Sequence, residues 1–125
     1  MINRVLLIGR LTRDPELRRT AQGTPVTTFN LAVDRLKADA NGNDVDFINI
    51  VCWQKLAENV AQYTVKGSLV GVDGRLRSRT YDDKHGRKVY VVEVLADIVQ
   101  FLDNRKKEEA TDNLSNNSYW NDPPF

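Results

Sequence analysis

Arginine occupies every second position of Gly74-Arg75-Leu76-Arg77-Ser78-Arg79-Thr80-Tyr81, and a phenol ring closes the series. In a strand, successive side chains point to opposite faces. Arg75, Arg77, Arg79 and Tyr81 then share one face, with no carboxylate among them. Cations on one strand face recur every ~6.6–6.8 Å, comparable to the phosphate spacing of an extended single nucleic-acid strand. Neutralising those phosphates releases counterions, and that release drives binding. A solvated face explains most charge runs, but a ring in line with the cations adds a plane on which a base can stack.

A second pair of rings lies on Asp44 to Trp53. Ile48, Ile50 and Cys52 form an aliphatic face suited to a core, and Phe47, Asn49, Val51 and Trp53 form the opposite one. A lone aromatic usually belongs to the core. Here the core set is already supplied by the other face, so two outward rings need another partner. Unselective base stacking, worth ~1–3 kcal/mol per base, is one; a subunit interface is its rival.

Little else in the chain suggests chemistry. The only histidine, His85, stands in the polar turn Asp82-Asp83-Lys84-His85-Gly86 without convergent ligands. Cys52 falls on the aliphatic face, where a thiol is a small buried hydrophobe. No Ser/His/Asp set, paired-histidine motif or phosphate-binding glycine loop is present. The expectation is a binding protein with no catalytic residues, cofactor or metal.

The bulk numbers bound this reading. With 125 residues, 41% hydrophobic and 28% charged, the chain fits one domain with a single modest core. A net charge of +1 gives no general attraction to nucleic acid, so the case rests on where the charges sit. One cysteine excludes an internal disulfide and fits a reducing compartment. The opening apolar run, Val5 to Ile8, is far shorter than the ~7–15 residues of a secretory segment or the ~20 of a membrane span. A cytoplasmic location, with no membrane partner, is expected.

Composition changes near residue 102. Residues 1–102 carry a net charge of +3, and residues 103–125 a net of −2. The second part is polar, rich in Asn and without apolar period, so it is expected to be a disordered tail. It ends in Trp120-Asn121-Asp122-Pro123-Pro124-Phe125. Phe125 joins a ring to the free α-carboxylate, which suits an apolar pocket with a basic rim. Pro123 and Pro124 lower the entropy lost on docking.

These features require elements to position them. Val5 to Leu11 reads as a strand apolar on both faces over its middle. Asp14-Pro15 and Gly23-Thr24-Pro25 bracket a loop. From Val26 the period is two, with Phe29, Leu31 and Val33 on one face, and Asn41-Gly42 signals a hairpin. Leu56, Ala57, Val60, Ala61, Tyr63 and Thr64 recur at helical spacing, with Gly67 as a C-terminal cap. Ser68 to Tyr81 and Lys88 to Leu102 return to strand period. Three strands, a short helix between the third and fourth strands, then two strands, is the layout of an all-β, five-stranded OB-fold, a Greek-key barrel. A plain five-stranded α+β sheet fits the same order. Strands apolar on both faces favour the barrel.

The segments "NRVLLIGRLTRDPELR", "GTPVTTFNLAVDR", "DFINIVCWQKLAENVAQY", "KGSLVGVDGRLRSRTY" and "VYVVEVLADIVQFL" closely resemble the bacterial single-stranded DNA-binding proteins, a homotetrameric OB-fold family. The resemblance runs in order through nearly all of residues 3–102. It implies sequence-independent wrapping of single-stranded DNA by four subunits in replication, recombination and repair. On this resemblance the stacking rings fall on Phe47, Trp53 and Tyr81. The basic contacts fall on Arg4, Lys55, Arg77 and Arg79, with Arg10 and Arg75 as further candidates. The family often has another ring in the hairpin after the second strand, where this chain reads "DRLKADANG". The tail resembles the family's tip for recruiting replication and repair proteins, which implies that role for Trp120, Asp122, Pro123, Pro124 and Phe125. It keeps Pro124 and Phe125 but carries Asn121 and Asp122 where the family has an acidic run. Two other functions fit the residues alone, single-stranded RNA binding and protein assembly through an OB-type module.

Overall fold

Alternation along the strands decides what is buried. In a computed structural model of the chain, residues 1–103 are described. The tip residues Trp120, Asp122, Pro123, Pro124 and Phe125 lie outside them. In chain order the elements are β1 (Val5–Leu11), β2 (Glu16–Arg19), β3 (Pro25–Asp34), β4 (Val45–Trp53), α1 (Gln54–Tyr63), β5 (Leu69–Asp82) and β6 (Lys88–Phe101). Phe29 and Leu31 of β3, Ile50 and Cys52 of β4, Val70 and Val72 of β5, and Val94, Ala96 and Val99 of β6 all turn inward and are buried. Ala57 and Val60 of α1 pack on the same cluster. The buried hydroxyl of Thr27 donates to the Ala57 carbonyl at 2.8 Å, tying the helix to β3.

The sheet runs β1-β5-β6-β4-β3-β2, and an additional β1–β3 pairing closes it into a barrel. Closure rests on Arg10 opposite Ala32 and Leu11 opposite Leu31. The β4–β6 pairing is parallel, and α1 with β5 supplies the long connection that a parallel pair needs. Two glycines allow the sharpest approaches. A Cβ on Gly9 would stand 2.3 Å from the Ala32 carbonyl oxygen, and one on Gly74 the same distance from that of Leu95. Gly74 also sits beside the irregularity in the β5–β6 register, where the ladder shifts.

This is the all-β OB-fold barrel, with its helix between the third and fourth long strands. Three local expectations differ from it. The described residues form six strands, because Glu16–Arg19 pairs with β3 inside the segment read as a loop. All four residues of β2 are exposed, so no apolar alternation marks them, and the pairing itself makes the strand. The helix ends on Thr64 rather than near Gly67. The Thr64 N–H and hydroxyl both donate to the Val60 carbonyl, at 3.1 and 2.7 Å. Gly67, at φ +90°, instead forms a turn whose N–H reaches the Leu11 carbonyl. Finally, Asp103, grouped with the tail by composition, accepts from the Leu69 N–H at 3.1 Å and from Arg10 at 3.4 Å.

Candidate nucleic-acid interface

The outer face of β4 carries Phe47, Asn49, Val51 and Trp53, opposite Ala32, Asn30, Thr28 and Val26 of β3. Phe47 is 65% exposed and Trp53 37% exposed, while Ile50 and Cys52 between them are fully buried. On the other side of β4, Val51 is level with Leu95 of β6, and Leu95 with Arg75 of β5. The ladder then continues Arg77 opposite Glu93, Arg79 opposite Val91 and Tyr81 opposite Val89. Residues opposite one another in a ladder share a face. Rings and guanidiniums therefore lie on one unbroken surface across β4, β6 and β5. Tyr81 is 49% exposed, with the Arg79 guanidinium 6.0 Å from its ring centroid, within cation–π range. On this surface is an open groove of about 540 Å³, with Arg13, Glu16, Asn49, Val51, Arg79 and Glu93 among its walls.

The arginine row is not bare. Glu93 lies directly across from Arg77, is only 4% exposed, and accepts from two guanidiniums on one oxygen. Its Oε2 is 2.6 Å from Arg77 Nη2, 3.0 Å from Arg77 Nε and 3.3 Å from Arg79 Nε. Asp97 pairs with Arg75 at 3.1 Å. The counter-charge missing from the arginine row itself is thus supplied by β6. A signal for it exists in the sequence. Pairing outward from the turn, with Asp82 opposite Lys88, sets Glu93 against Arg77.

Polar side chains add a feature that the pattern of charges and rings does not reveal. The Thr12 hydroxyl donates to Asn30 Oδ1 at 3.1 Å, and Asn30 Nδ2 donates to Asn49 Oδ1 at 3.0 Å. The Asn49 amide nitrogen is left as a donor on the exposed face, between Phe47 and Trp53 in the strand.

The remaining candidates are spread more widely. Lys55 is exposed in the first turn of α1, two residues after Trp53. The turn between them is sharp, because Gln54 has φ +64°. Arg4 stands just before β1 and pairs with Asp73 at 2.8 Å. Arg10 is held by the Gly67 carbonyl at 2.9 Å and by Asp103. Neither is in the β4–β6–β5 row. His85 is exposed in the β5–β6 turn, where its N–H donates to Asp83 Oδ1. In the β3–β4 hairpin, Arg35 bonds Asp46 and Asp39, and Asp39 also accepts from the Asn41 and Asn43 N–H groups. Those bonds hold the Asp39 carboxyl below its usual range, the Asn43 N–H contributing most. Leu36 projects fully exposed from the same hairpin.

Comparison with known proteins places the barrel in a family. The model of the single-strand binding protein family matches residues 2–102. A single-stranded DNA-binding protein of Bacillus cereus is 58% identical over 106 residues, covering 84% of this chain and 62% of the relative. Single-stranded DNA-binding protein 2 of Staphylococcus aureus (strain COL) is 59% identical over 104 residues, covering 82% of this chain and 75% of the relative. The corresponding protein of Halalkalibacterium halodurans is 53% identical over 118 residues, covering 93% and 70%. The chain thus spans under two thirds of the Bacillus cereus relative's length. Since the family match covers every element of the barrel, the chain belongs to the single-strand binding protein family.

Proposed function

We propose that this protein binds single-stranded DNA without sequence preference and without catalysis, serving replication, recombination and repair. Bases stack on Phe47, Trp53 and Tyr81, while Arg77, Arg79, Arg75 and Lys55 meet phosphates; Arg4 and Arg10 contribute at the periphery. The observation that carries this reading is the single outer surface of β4, β6 and β5, on which three exposed rings accompany the arginine row. Rings without cations would suit an assembly surface, and cations without rings a solvated one. Together they suit a flexible polyanion with exposed π-faces.

A separate surface serves assembly. Leu6 and Ile8 on β1 are 71% and 63% exposed, and Ile98 on β6 is 52% exposed. Leu6 and Ile98 both lie opposite Asp73 of β5, far along that strand from Tyr81. We take this apolar patch as the contact between copies in a homotetramer, which frees the aromatic surface for DNA. Residues 1–102 act as the DNA-binding domain, and the tip from Trp120 to Phe125 recruits partner proteins in the cytoplasm. Among the described residues no helix is long and apolar enough to cross a membrane.

Tryptophan fluorescence tests the reading in a Trp120→Phe background, so that Trp53 alone reports. Addition of poly(dT) at low salt is expected to quench Trp53 emission, with RNA of matched length competing weakly. Unchanged emission together with no retention of the oligonucleotide on a filter would rule out this interface.

A further inference from the structure

We propose that Glu93 is a positioning residue that competes with DNA phosphates for Arg77 and Arg79, acting as an electrostatic brake on binding. The proposal rests on the single-stranded DNA reading above. Three observations carry it. Glu93 is 4% exposed and its Oε2 accepts from both arginines, at 2.6 to 3.3 Å. The arginines remain accessible, at 38% and 53% exposed for their side chains. Glu93 also lines the same groove as Arg79 and Asn49.

A carboxylate and a phosphate offer a guanidinium the same kind of acceptor, often bidentate. Arg77 spends its Nε and Nη2 on Glu93, both converging on the single oxygen Oε2. A phosphate arriving at the row must share or displace that pairing. The two arginines and Glu93 together carry +1 rather than +2, so fewer counterions are released on binding than the arginine count alone implies. The pairing also holds both guanidiniums along the β5–β6 surface before DNA arrives. Asp97 offers an internal control. It adds the same unit charge on the same strand and pairs with Arg75, but is 42% exposed, as is half of its partner at 52%. An exposed pair of that kind is worth little.

The test is the salt dependence of oligo(dT) binding by the full chain, comparing Glu93→Gln, Asp97→Asn and the native sequence. Each further phosphate neutralised on a single strand steepens the slope of log K against log salt by ~0.7. Glu93→Gln is expected to steepen it by about that amount or more, and to tighten binding by roughly tenfold at about 50 mM salt. Asp97→Asn is expected to move the slope less than half as far. Glu93→Asp, which keeps the charge but withdraws the carboxylate by one methylene, is expected to fall between native and Glu93→Gln. A lost clamp that mattered only for folding would lower the melting temperature and leave the slope alone. An unchanged or shallower slope in Glu93→Gln overturns the proposal, as does an equal shift in Asp97→Asn. If Glu93→Gln does not fold, Glu93→Asp decides: a slope equal to the native one overturns it. Quenching of Trp53 in the native protein keeps this outcome separate from failure of DNA binding itself.

Discussion

Asn30 and Asn49 stand opposite one another on β3 and β4, and the Asn30 amide donates to Asn49 Oδ1 at 3.0 Å. Because Thr12 in turn donates to Asn30 Oδ1, the chain of donors has one direction. It ends in a free amide donor on the face shared by Phe47 and Trp53. Every nucleobase has a hydrogen-bond acceptor on an edge, so such a donor assists binding without selecting a base. Asn49→Asp keeps the shape but replaces donor with anion. The expected result is at least tenfold weaker oligo(dT) binding at low salt, with the deficit growing as salt falls, because repulsion is then less screened. Fluorescence titration at two salt concentrations checks it.

The three rings lead to a different kind of loss. Stacking is worth ~1–3 kcal/mol per base by alanine substitution. Phe47→Ala, Trp53→Ala and Tyr81→Ala should each weaken DNA binding by roughly 5- to 150-fold, using about 1.4 kcal/mol per factor of ten. Phe47, the most exposed of the three, should show this loss with an unchanged melting temperature. Trp53, partly packed beside Val26, should lose some stability as well. Light scattering distinguishes the assembly alternative, because the alanine variants should keep the oligomeric state of the native chain.

How far these residues were legible in the sequence follows from the range of the interactions. Period-two alternation marks Phe47, Trp53 and the arginines as outward because burial on a strand is a local property. The helix over Leu56 to Tyr63 is legible for the same reason. Strand β2 is not, since Glu16–Arg19 has no apolar face and exists through its pairing with β3. Glu93 escapes local periodicity: an acid in a valine-rich strand acquires meaning only once the β5–β6 register, counted outward from the turn, sets it against Arg77. The Thr12–Asn30–Asn49 chain spans three segments distant in sequence. Local periodicity reveals faces, and pairing across strands reveals partners.

Gln54 offers a stability test. It is the one non-glycine described residue with positive φ, at +64°, where an L side chain costs ~1–2 kcal/mol. The sharp turn there lets β4 end on exposed Trp53 and α1 begin at once with Lys55 nearby. Gln54→Gly relieves the strain but adds chain entropy to the unfolded state, worth ~0.5–1 kcal/mol the other way. The net expectation is a stabilisation of about 0.5–1 kcal/mol in urea unfolding, with DNA affinity unchanged. Gln54→Val, whose branched side chain tolerates positive φ poorly, should destabilise instead.

Cys52 predicts an alkaline limit to stability. It is fully buried beside Ile50, and burial pushes its thiol from an ordinary 9.0 up to about 12. Below pH ~9 the thiol is protonated in both folded and unfolded chains, so it adds no pH dependence. Above that, the unfolded chain loses the proton while the folded one keeps it, and the unfolded state is favoured. Stability should therefore fall by ~1.4 kcal/mol per pH unit from this group between about pH 9 and 12. The informative quantity is the difference from Cys52→Val, in which every other group's contribution is common to both proteins. Urea midpoints for the two proteins should converge or cross as pH rises from 9 to 11. A constant difference across that range would place the thiol in contact with solvent, as would rapid labelling of the folded protein by a thiol reagent at pH ~8.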